Sequence, residues 1–196
     1  AELVAELIEY YGFEKYLDDK IRTNLLVGIM TDTGSFAHSI HNPETFSICA
    51  NLLSNTINYP LIHRNIYDTF SQDRMRLLGY SINKMEILPE YKTAYITLSK
   101  EELEKFHYQV GDTEGVVNYP LSIKGVTMSV LITERQGVIR FSFRSKGDFS
   151  VHEVAKKYFN GGGHTNAAGG TLNCQLVLAV AKLLSILPEY KSLLNE

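Results

Sequence analysis

The sequence predicts an α/β fold, with a mostly helical first part joined by a helix to an α/β part built on a mixed sheet. Helical spacing of apolar residues dominates residues 1–88, whereas strand-like runs rich in β-branched and aromatic residues recur further along. The chain has 196 residues, of which 44% are hydrophobic, as in a folded protein with one large or two small domains. Because Pro89 should end the helical part, we predict domains at 1–88 and 89–196.

Periodicity and capping residues predict the elements of the first domain. Apolar side chains recur at helical spacing over residues 3–11, which predicts an amphipathic helix. The continuous apolar run Leu25–Met30 is typical of a buried parallel strand that stops at the polar turn Thr31–Gly34. Caps, prolines and spacing predict three further helices: one from Asn42 to about Ser54, one beginning at Pro60, and one over residues 75–85.

The second domain is predicted to combine strands with shorter helices. Strands are expected over residues 91–98, 126–133 and 138–143, with a hairpin turn at 135–137 between the last two. Capping boxes and spacing predict four helices: one after Ser99 with Glu102, one from residues 112–114, one after Ser150 with Glu153, and one over residues 175–187.

Charge and length exclude several classes of function. A formal net charge of −3 argues against coating long duplex nucleic acid. Residues 124–157 carry seven bases against three acids, which could hold a few phosphates or form an ordinary solvated surface. No apolar run approaches the ~20 residues of a membrane span, so we expect a cytoplasmic protein without membrane contact. Cys49 and Cys174 match neither a disulfide framework nor a zinc motif.

Asp32 is the first candidate site residue. It would directly follow the predicted strand Leu25–Met30, and the carboxyl ends of strands line the ligand crevice of open α/β sheets. The small neighbours Thr33 and Gly34 would leave room for a metal or a phosphate. The alternative is an Asx turn, in which the carboxylate only satisfies backbone donors.

The stretch GGGHTNAAGG at 161–170 is the most informative in the chain. Gly161, Gly162 and Gly163 leave the backbone amides open to an anion, at a large cost in conformational entropy. His164 could donate to a phosphate, ligate a metal or satisfy a backbone carbonyl. The alternative is a glycine-rich turn with a structural histidine. The stretch lacks the lysine of a P-loop.

Other candidates lie at a strand end and in a turn. Arg144 and Ser145 suit bidentate phosphate recognition, although an exposed ion pair would equally explain the arginine. Asn118 could bind a ribose or a phosphate, or simply form a turn. Tyr119 or Phe143 could stack on a base, which would favour a nucleotide over inorganic polyphosphate.

Together, GIMTDTGSF at 28–36, EGVVN at 114–118, FSFRS at 141–145 and the glycine stretch resemble the DHH phosphoesterase superfamily. The order and spacing are most similar to its bacterial oligoribonuclease and adenosine bisphosphate phosphatase branch. The resemblance implies a parallel-sheet catalytic domain with two manganese ions, of which this chain holds the C-terminal remnant, and a smaller DHH-associated domain that presents the substrate. It implies one metal ligand, Asp32, and these substrate-binding residues: Arg144, Ser145, Gly161, Gly162, Gly163, His164 and Asn118.

Three motifs that the resemblance requires before Asp32 are missing from this sequence. They comprise an aspartate pair, a further aspartate and an Asp-His-His triplet, and a single carboxylate cannot hold two manganese ions. We therefore expect the C-terminal portion of a longer manganese-dependent phosphoesterase, inactive by itself and on the order of 140 residues short. Its partners would be short RNA or a nucleotide, and a homodimer is an open alternative.

Two other functions remain open on the sequence. The glycine-rich module also resembles the end of alanyl transfer-RNA synthetases, which would make this chain a nucleic-acid-binding module without turnover. A polyphosphate or pyrophosphate hydrolase is chemically close to the phosphoesterase interpretation. The acid at position 32 favours an enzyme, because a binding module would not need it.

Overall fold

The computed structural model describes residues 1–36, 42–54 and 56–195. The chain forms two compact units, Ala1–Thr69 and Phe70–Glu196, each with its own hydrophobic core. Helices together with a six-stranded mixed sheet confirm the predicted α/β class. The helix expected at 75–85 lies within the second compact unit, and the division into domains at 1–88 and 89–196 stays a prediction.

In the described residues of the first unit, all regular secondary structure is helical. Its α-helices are α1 (Glu2–Tyr10), α2 (Asp19–Asp32), α3 (Glu44–Leu52) and α4 (Tyr59–Tyr67), and a 3-10 turn covers Glu14–Tyr16. Asp18 caps α2 by accepting the backbone N–H of Ile21, and Asn58 caps α4 by accepting that of Leu61. Buried apolar side chains from α1, α2 and α3 form the core of this unit.

The apolar run Leu25–Met30 is helical, so the predicted strand is wrong. It lies inside α2, where Leu25, Leu26, Ile29 and Met30 are buried. These four side chains share one face of a helix, a spacing that the unbroken apolar run concealed. Asp32 is consequently the last residue of a helix and does not follow a strand.

The second unit arranges helices around one sheet. Its helices are α5 (Gln72–Asn83), α6 (Lys100–Lys105), α7 (Val151–Tyr158) and α8 (Leu176–Asn195). Its strands are β1 (Glu86–Leu88), β2 (Thr93–Leu98), β3 (Met128–Arg135), β4 (Val138–Ser145), β5 (Gly162–His164) and β6 (Ala167–Leu172). Two 3-10 segments cover Pro89–Tyr91 and Val116–Ser122.

The strands follow the order β1-β2-β3-β4-β6-β5 across the sheet. β2 and β3 are parallel, and the other neighbouring pairs are antiparallel. The predicted hairpin between β3 and β4 is confirmed. Its turn residues Gln136 and Gly137 have φ values of 53° and 75°, as a type I′ turn requires.

The two faces of the sheet are packed differently. On one face, apolar side chains of β3 and β4 meet α7 and α8 in the main core. On the other face, Leu77 of α5 and Leu103 of α6 pack with β2 and Leu131 of β3. In the described residues this second apolar cluster does not extend to β4 and β6, which leaves room for polar side chains there.

Several boundaries differ from the prediction. α5 ends at Asn83, and β1 follows it as a strand that we did not predict. The residues at 112–114 form a turn, and the helical segment there is the 3-10 stretch Val116–Ser122. α8 continues through Pro188 to Asn195. Proline lacks the N–H that would continue the helical ladder, but Leu194 is buried beyond it, and this packing accounts for the continuation.

Among the described residues, no helix is both long enough and apolar enough to cross a bilayer.

Candidate phosphate-binding site

Strand alternation separates the arginines of β4 from its core residues. Ile139, Phe141 and Phe143 are buried in the main core, and successive side chains of a strand point to opposite faces. The intervening residues of β4 are Arg140, Ser142 and Arg144. They therefore occupy the face of the sheet that the apolar cluster leaves uncovered.

A cavity of about 450 Å³ opens over this face. Residues from the range 110–117, ahead of and within the 3-10 segment Val116–Ser122, also line it. Its charged lining consists of three arginines and one carboxylate. Four hydroxyl residues and four glycines also line it, and the charged, hydroxyl and glycine residues are Arg135, Arg140, Arg144, Glu114, Thr113, Thr133, Ser142, Thr171, Gly111, Gly115, Gly169 and Gly170. The cavity is within the common size range of small-ligand sites.

Arg144 is held in a partly buried position at the end of β4. Its Nη1 donates to the backbone carbonyl of Phe143 at 2.9 Å. Burial lowers the pKa of the Arg144 guanidinium below its ordinary value, and the negative charge of Glu114 acts in the opposite direction. A guanidinium stays charged in proteins, so an anion in the cavity would offset the cost of burying this cation.

Arg135 is fixed by neighbours on both sides. Its guanidinium lies 4.6 Å from the centre of the Tyr108 ring, and its Nη2 donates to the hydroxyl of Thr113. Its Nε is buried and has no hydrogen-bond partner within the described residues. The side chain is therefore positioned before any ligand arrives, which reduces the entropy lost on binding.

Among the described residues, none of the three arginines has an acidic partner at ion-pair distance. Within the part of the chain that the structure describes, no carboxylate oxygen lies within 4.0 Å of the Arg135, Arg140 or Arg144 guanidinium. A planar guanidinium presents five donors that match the oxygens of a phosphate. The arrangement is therefore suited to a phosphate-bearing ligand.

Ser145 differs from Arg144 in its surroundings. It is buried, its Oγ donates to the carbonyl of Phe149 at 2.6 Å, and it accepts Nδ2 of Asn166 at 3.0 Å. These bonds connect the end of β4 to the turn that follows it and to the β5–β6 turn. The predicted substrate contact of Ser145 stays a prediction.

The glycine stretch forms the edge hairpin of β5 and β6, whose backbones lie very close together. A Cβ on Gly161 would lie 1.9 Å from the carbonyl oxygen of Gly169, and one on Gly163 would lie 2.4 Å from that of Ala167. Gly163 also has a φ of 151°. Glycine is therefore required here by backbone packing, independently of any role in binding an anion.

His164 lies in the same row of the sheet as Arg144. In the strand register Arg144 pairs with Ala167, and Ala167 pairs with His164. Two strand spacings of ~4.8 Å separate Arg144 from His164 along this row, or ~10 Å between their Cα atoms. His164 is exposed. The edge strand is held in place from α7, where His152 Nδ1 accepts the N–H of Gly163 at 3.0 Å.

The remaining predicted contacts lie at different depths. Asn118 is exposed on the 3-10 segment, where its backbone N–H donates to Gly115 at 2.9 Å. Tyr119 is 47% exposed and free to meet a ligand, whereas Phe143 is fully buried in the main core. The suggestion that Phe143 stacks on a base is therefore wrong, because strand alternation turns it inward.

Comparison with known proteins identifies the second unit. The family model described as the DHHA1 domain matches residues 91–190. The chain belongs to the DHHA1 domain family. This match and the relatives below confirm the resemblance to the DHH superfamily, and they place the arginine cavity and the glycine hairpin inside the DHHA1 domain.

Three relatives show how far the similarity extends. The crystal structure of an exopolyphosphatase-related protein from Bacteroides fragilis is 41% identical, has a TM-score of 0.96, and is matched over 100% of this chain and 57% of that chain. The bifunctional oligoribonuclease and PAP phosphatase NrnA of Thermus thermophilus is 29% identical over 175 residues, which are 88% of this chain and 50% of the relative. The cyclic-di-AMP phosphodiesterase GdpP of Geobacillus thermodenitrificans is 28% identical over 86% of this chain and 24% of the relative. The chain thus spans about half the length of the NrnA relative and a quarter of the GdpP relative.

Sequence reasoning missed Arg135, Arg140 and Ser142 as site residues of the DHHA1 domain. The signal for two of them was present, because Arg140 and Ser142 precede Arg144 by four and two residues in a predicted strand. Period-two spacing places all three on one face. The role of Arg135 depends on Tyr108 and Thr113, which are distant in sequence, so no local pattern could have indicated it.

Asp32 is exposed at the end of α2 in the first unit. Within residues 1–36, 42–54 and 56–195, no three His, Cys, Asp or Glu side chains are grouped so that they could hold a metal ion. Manganese needs several oxygen or imidazole ligands. The described residues therefore do not fit a pair of manganese ions, and the assignment of Asp32 rests on the family resemblance alone.

Proposed function

We propose that this chain binds short oligoribonucleotides or adenosine bisphosphate as the substrate-binding part of a manganese-dependent phosphoesterase. The observation that carries the proposal is the DHHA1 cavity, which is lined by three arginines that have no acidic partner at ion-pair distance among the described residues. One relative is named as an oligoribonuclease and PAP phosphatase, and another as a cyclic-di-AMP phosphodiesterase. Both names support a ligand that contains a nucleotide and phosphate.

In this proposal the DHHA1 residues bind and orient the phosphate. The Arg144 guanidinium binds phosphate oxygens in bidentate fashion, and its partial burial strengthens the interaction because water screens it less. His164, in the same row of the sheet, donates to the same phosphate from the edge strand. Hydroxyl groups of Ser142 and Thr171 line the same cavity and can bond the sugar or the phosphate.

Asp32 has a separate role in the proposal as one manganese ligand. The described residues do not fit a pair of manganese ions, so the other manganese ligands are not among them. Hydrolysis is therefore proposed for the complete polypeptide that carries this sequence, whereas phosphate binding is proposed for this chain itself.

A polyphosphate is the second candidate ligand. The Bacteroides fragilis protein, at 41% identity, is named exopolyphosphatase-related, and three arginines would suit a chain of phosphates as well as a nucleotide. Exposed Tyr119, which could stack on a base, favours the nucleotide.

The first test measures binding by calorimetry with adenosine bisphosphate, a short oligoribonucleotide and tripolyphosphate. Arg144→Ala should weaken nucleotide binding about tenfold or more, because it removes a charge-assisted contact. Arg76→Ala is the matched control, since Arg76 is exposed on α5 and lines neither this cavity nor the one beside it. Equal affinity of the wild-type chain and Arg144→Ala would contradict the proposal, and a clear preference for tripolyphosphate would favour the second candidate.

The second test separates hydrolysis from binding in the complete polypeptide. Asp32→Asn should abolish manganese-dependent release of mononucleotides from a short oligoribonucleotide, because the metal loses a carboxylate ligand. Affinity for adenosine bisphosphate should stay within about twofold, since Asp32 is not in the arginine cavity. Unchanged turnover would overturn the role of Asp32. Binding without any turnover by the wild-type polypeptide would favour the binding module.

A further inference from the structure

A second cavity of about 600 Å³ adjoins the arginine cavity in the DHHA1 domain. Val110, Arg135 and Arg140 line both cavities, so these residues form the boundary between the two. The second cavity lies between α6 and the β3–β4 turn, as its lining by Leu103 and Gln136 shows. It is separate from the Arg144 and His164 positions described above.

The lining of this second cavity differs from that of the first. Leu103, Tyr108 and Val110 supply apolar surface, and Val110 is 95% exposed. Lys100 and the two shared arginines supply positive charge. The two carboxylates of the lining face Lys100: Glu104 lies 3.7 Å from Lys100 Nζ, and Glu134 accepts the backbone N–H of Lys100 at 3.3 Å. A ligand with an apolar body and a phosphate at its edge would match this distribution of apolar and positively charged side chains.

The spacing along β4 relates the two cavities. Arg140 and Arg144 lie on one strand face four residues apart, which corresponds to ~13 Å between their Cα atoms. Both side chains are long, so their guanidinium groups can reach two phosphates of one extended ligand. Arg140 is exposed and has no described acidic partner within 4.0 Å. A ligand bound at Arg144 that continues past Arg140 would enter the second cavity.

We propose that the second cavity is a subsite for the next nucleoside of an oligonucleotide, with the phosphate that joins the two nucleotides held at Arg140. The inference rests on the proposed function, because it assumes a phosphate bound at Arg144. It adds a length requirement: a dinucleotide fills both cavities, whereas adenosine bisphosphate fills only the first. Lys100, Tyr108 and Gln109 then determine preference for length, and they contribute little to binding a single nucleotide.

The test compares two ligands that both carry two phosphates. Adenosine bisphosphate has one nucleoside, and the 5′-phosphorylated diadenylate pApA has a second nucleoside that can enter the subsite. The wild-type chain should bind pApA about tenfold more tightly, because a nucleoside leaves water. Lys100→Ala should weaken pApA binding about fivefold, the effect of losing an exposed ion pair. The affinity of this variant for adenosine bisphosphate should stay within about twofold of the wild-type value.

Two further variants make the result decisive. Gln109→Trp places a bulky ring in the subsite, and it should remove the preference for pApA while the affinity for adenosine bisphosphate shows that the protein is folded. Lys105→Ala is the matched control for Lys100→Ala. Lys105 is exposed on α6, as Lys100 is on the same helix, but it lines neither cavity. It should change neither affinity.

The outcomes distinguish the subsite from the proposed function. Equal affinity of the wild-type chain for both ligands, or equal losses for both ligands in Lys100→Ala and Gln109→Trp, would overturn the subsite alone. Failure of the wild-type chain to bind either ligand would overturn the proposed function, and the subsite with it.

Discussion

Arg144 and Ser145 are adjacent at the end of β4, and strand geometry turns their side chains to opposite faces of the sheet. Arg144 lines the cavity, whereas the Ser145 hydroxyl bonds Phe149 and Asn166 in a buried position. The sequence predicted them as a functional pair because both residue types bind phosphate. Only their burial and bonding partners distinguish the residue that lines a cavity from the residue that is bonded internally.

This difference predicts the effect of Ser145→Ala. The substitution leaves the amide of Asn166 and the carbonyl of Phe149 without one partner each, so it should lower the free energy of unfolding by about 1–3 kcal/mol. Ser142→Ala, on the cavity face of the same strand, should change stability by less than about 0.5 kcal/mol. Denaturant unfolding measures both. A Ser145→Ala protein of wild-type stability that no longer binds nucleotide would instead support the substrate contact predicted for this residue.

Capping and turn residues located some element boundaries correctly, whereas a short apolar run did not reveal the type of its element. The capping box of Ser99 and Glu102 begins α6 as predicted, and the Gln136–Gly137 turn joins β3 to β4. The run Leu25–Met30 was assigned to the wrong element because a short apolar run fits a buried strand and a buried helix equally well. Its packing against α1 and α3 selects the helix.

The start of α6 also predicts a pH dependence. Burial would raise the pKa of Glu102, but hydrogen bonds from Lys84, Tyr80 and the Ser99 backbone outweigh it, and the pKa lies below its ordinary value of 4.5. A carboxyl whose pKa is lower in the folded state stabilises the fold above pH 4.5, and it loses this contribution as the pH falls through the folded-state pKa.

Glu102→Gln should therefore lower the free energy of unfolding by about 1 kcal/mol at pH 7, close to the value of a capping interaction. The difference from the wild-type chain should shrink as the pH falls from 4.5 through the folded-state pKa, because the Glu102 carboxyl then becomes protonated and neutral, like the glutamine. Unfolding curves from pH 3 to pH 7 measure it. Glu104→Gln on the exposed side of the same helix is the control, and a difference independent of pH would contradict the assigned cause.

Across the whole molecule, the residues with predicted roles fall into different compact units. Asp32 lies in the first unit, and the arginine cavity and the glycine hairpin lie in the second. The main core of the second unit is built entirely from its own residues. The phosphate binding that we propose therefore depends on residues of the second unit, whereas the metal ligation proposed for Asp32 depends on the first.

We accordingly expect residues 70–196, produced without the first unit, to fold and to bind adenosine bisphosphate within about threefold of the whole chain. Every residue that lines the two cavities of the DHHA1 domain lies in this range. Calorimetry on the two polypeptides gives the comparison, and Arg144→Ala in the shorter one is its control. Loss of binding in a folded 70–196 polypeptide would show that the first unit contributes to the site.

The sequence by itself determined the β3–β4 hairpin and the helix starts at Ser99 and Ser150, because each depends on residues close together in the chain. It also determined the α/β class and the family resemblance, which depend on the kinds of local pattern and on their order along the chain. Tertiary structure alone decided that Leu25–Met30 is helical, that Phe143 is buried, and that Arg135 meets Arg140 and Arg144 around one cavity. Those outcomes depend on which strands pair and which faces are covered, and residues far apart in sequence control both.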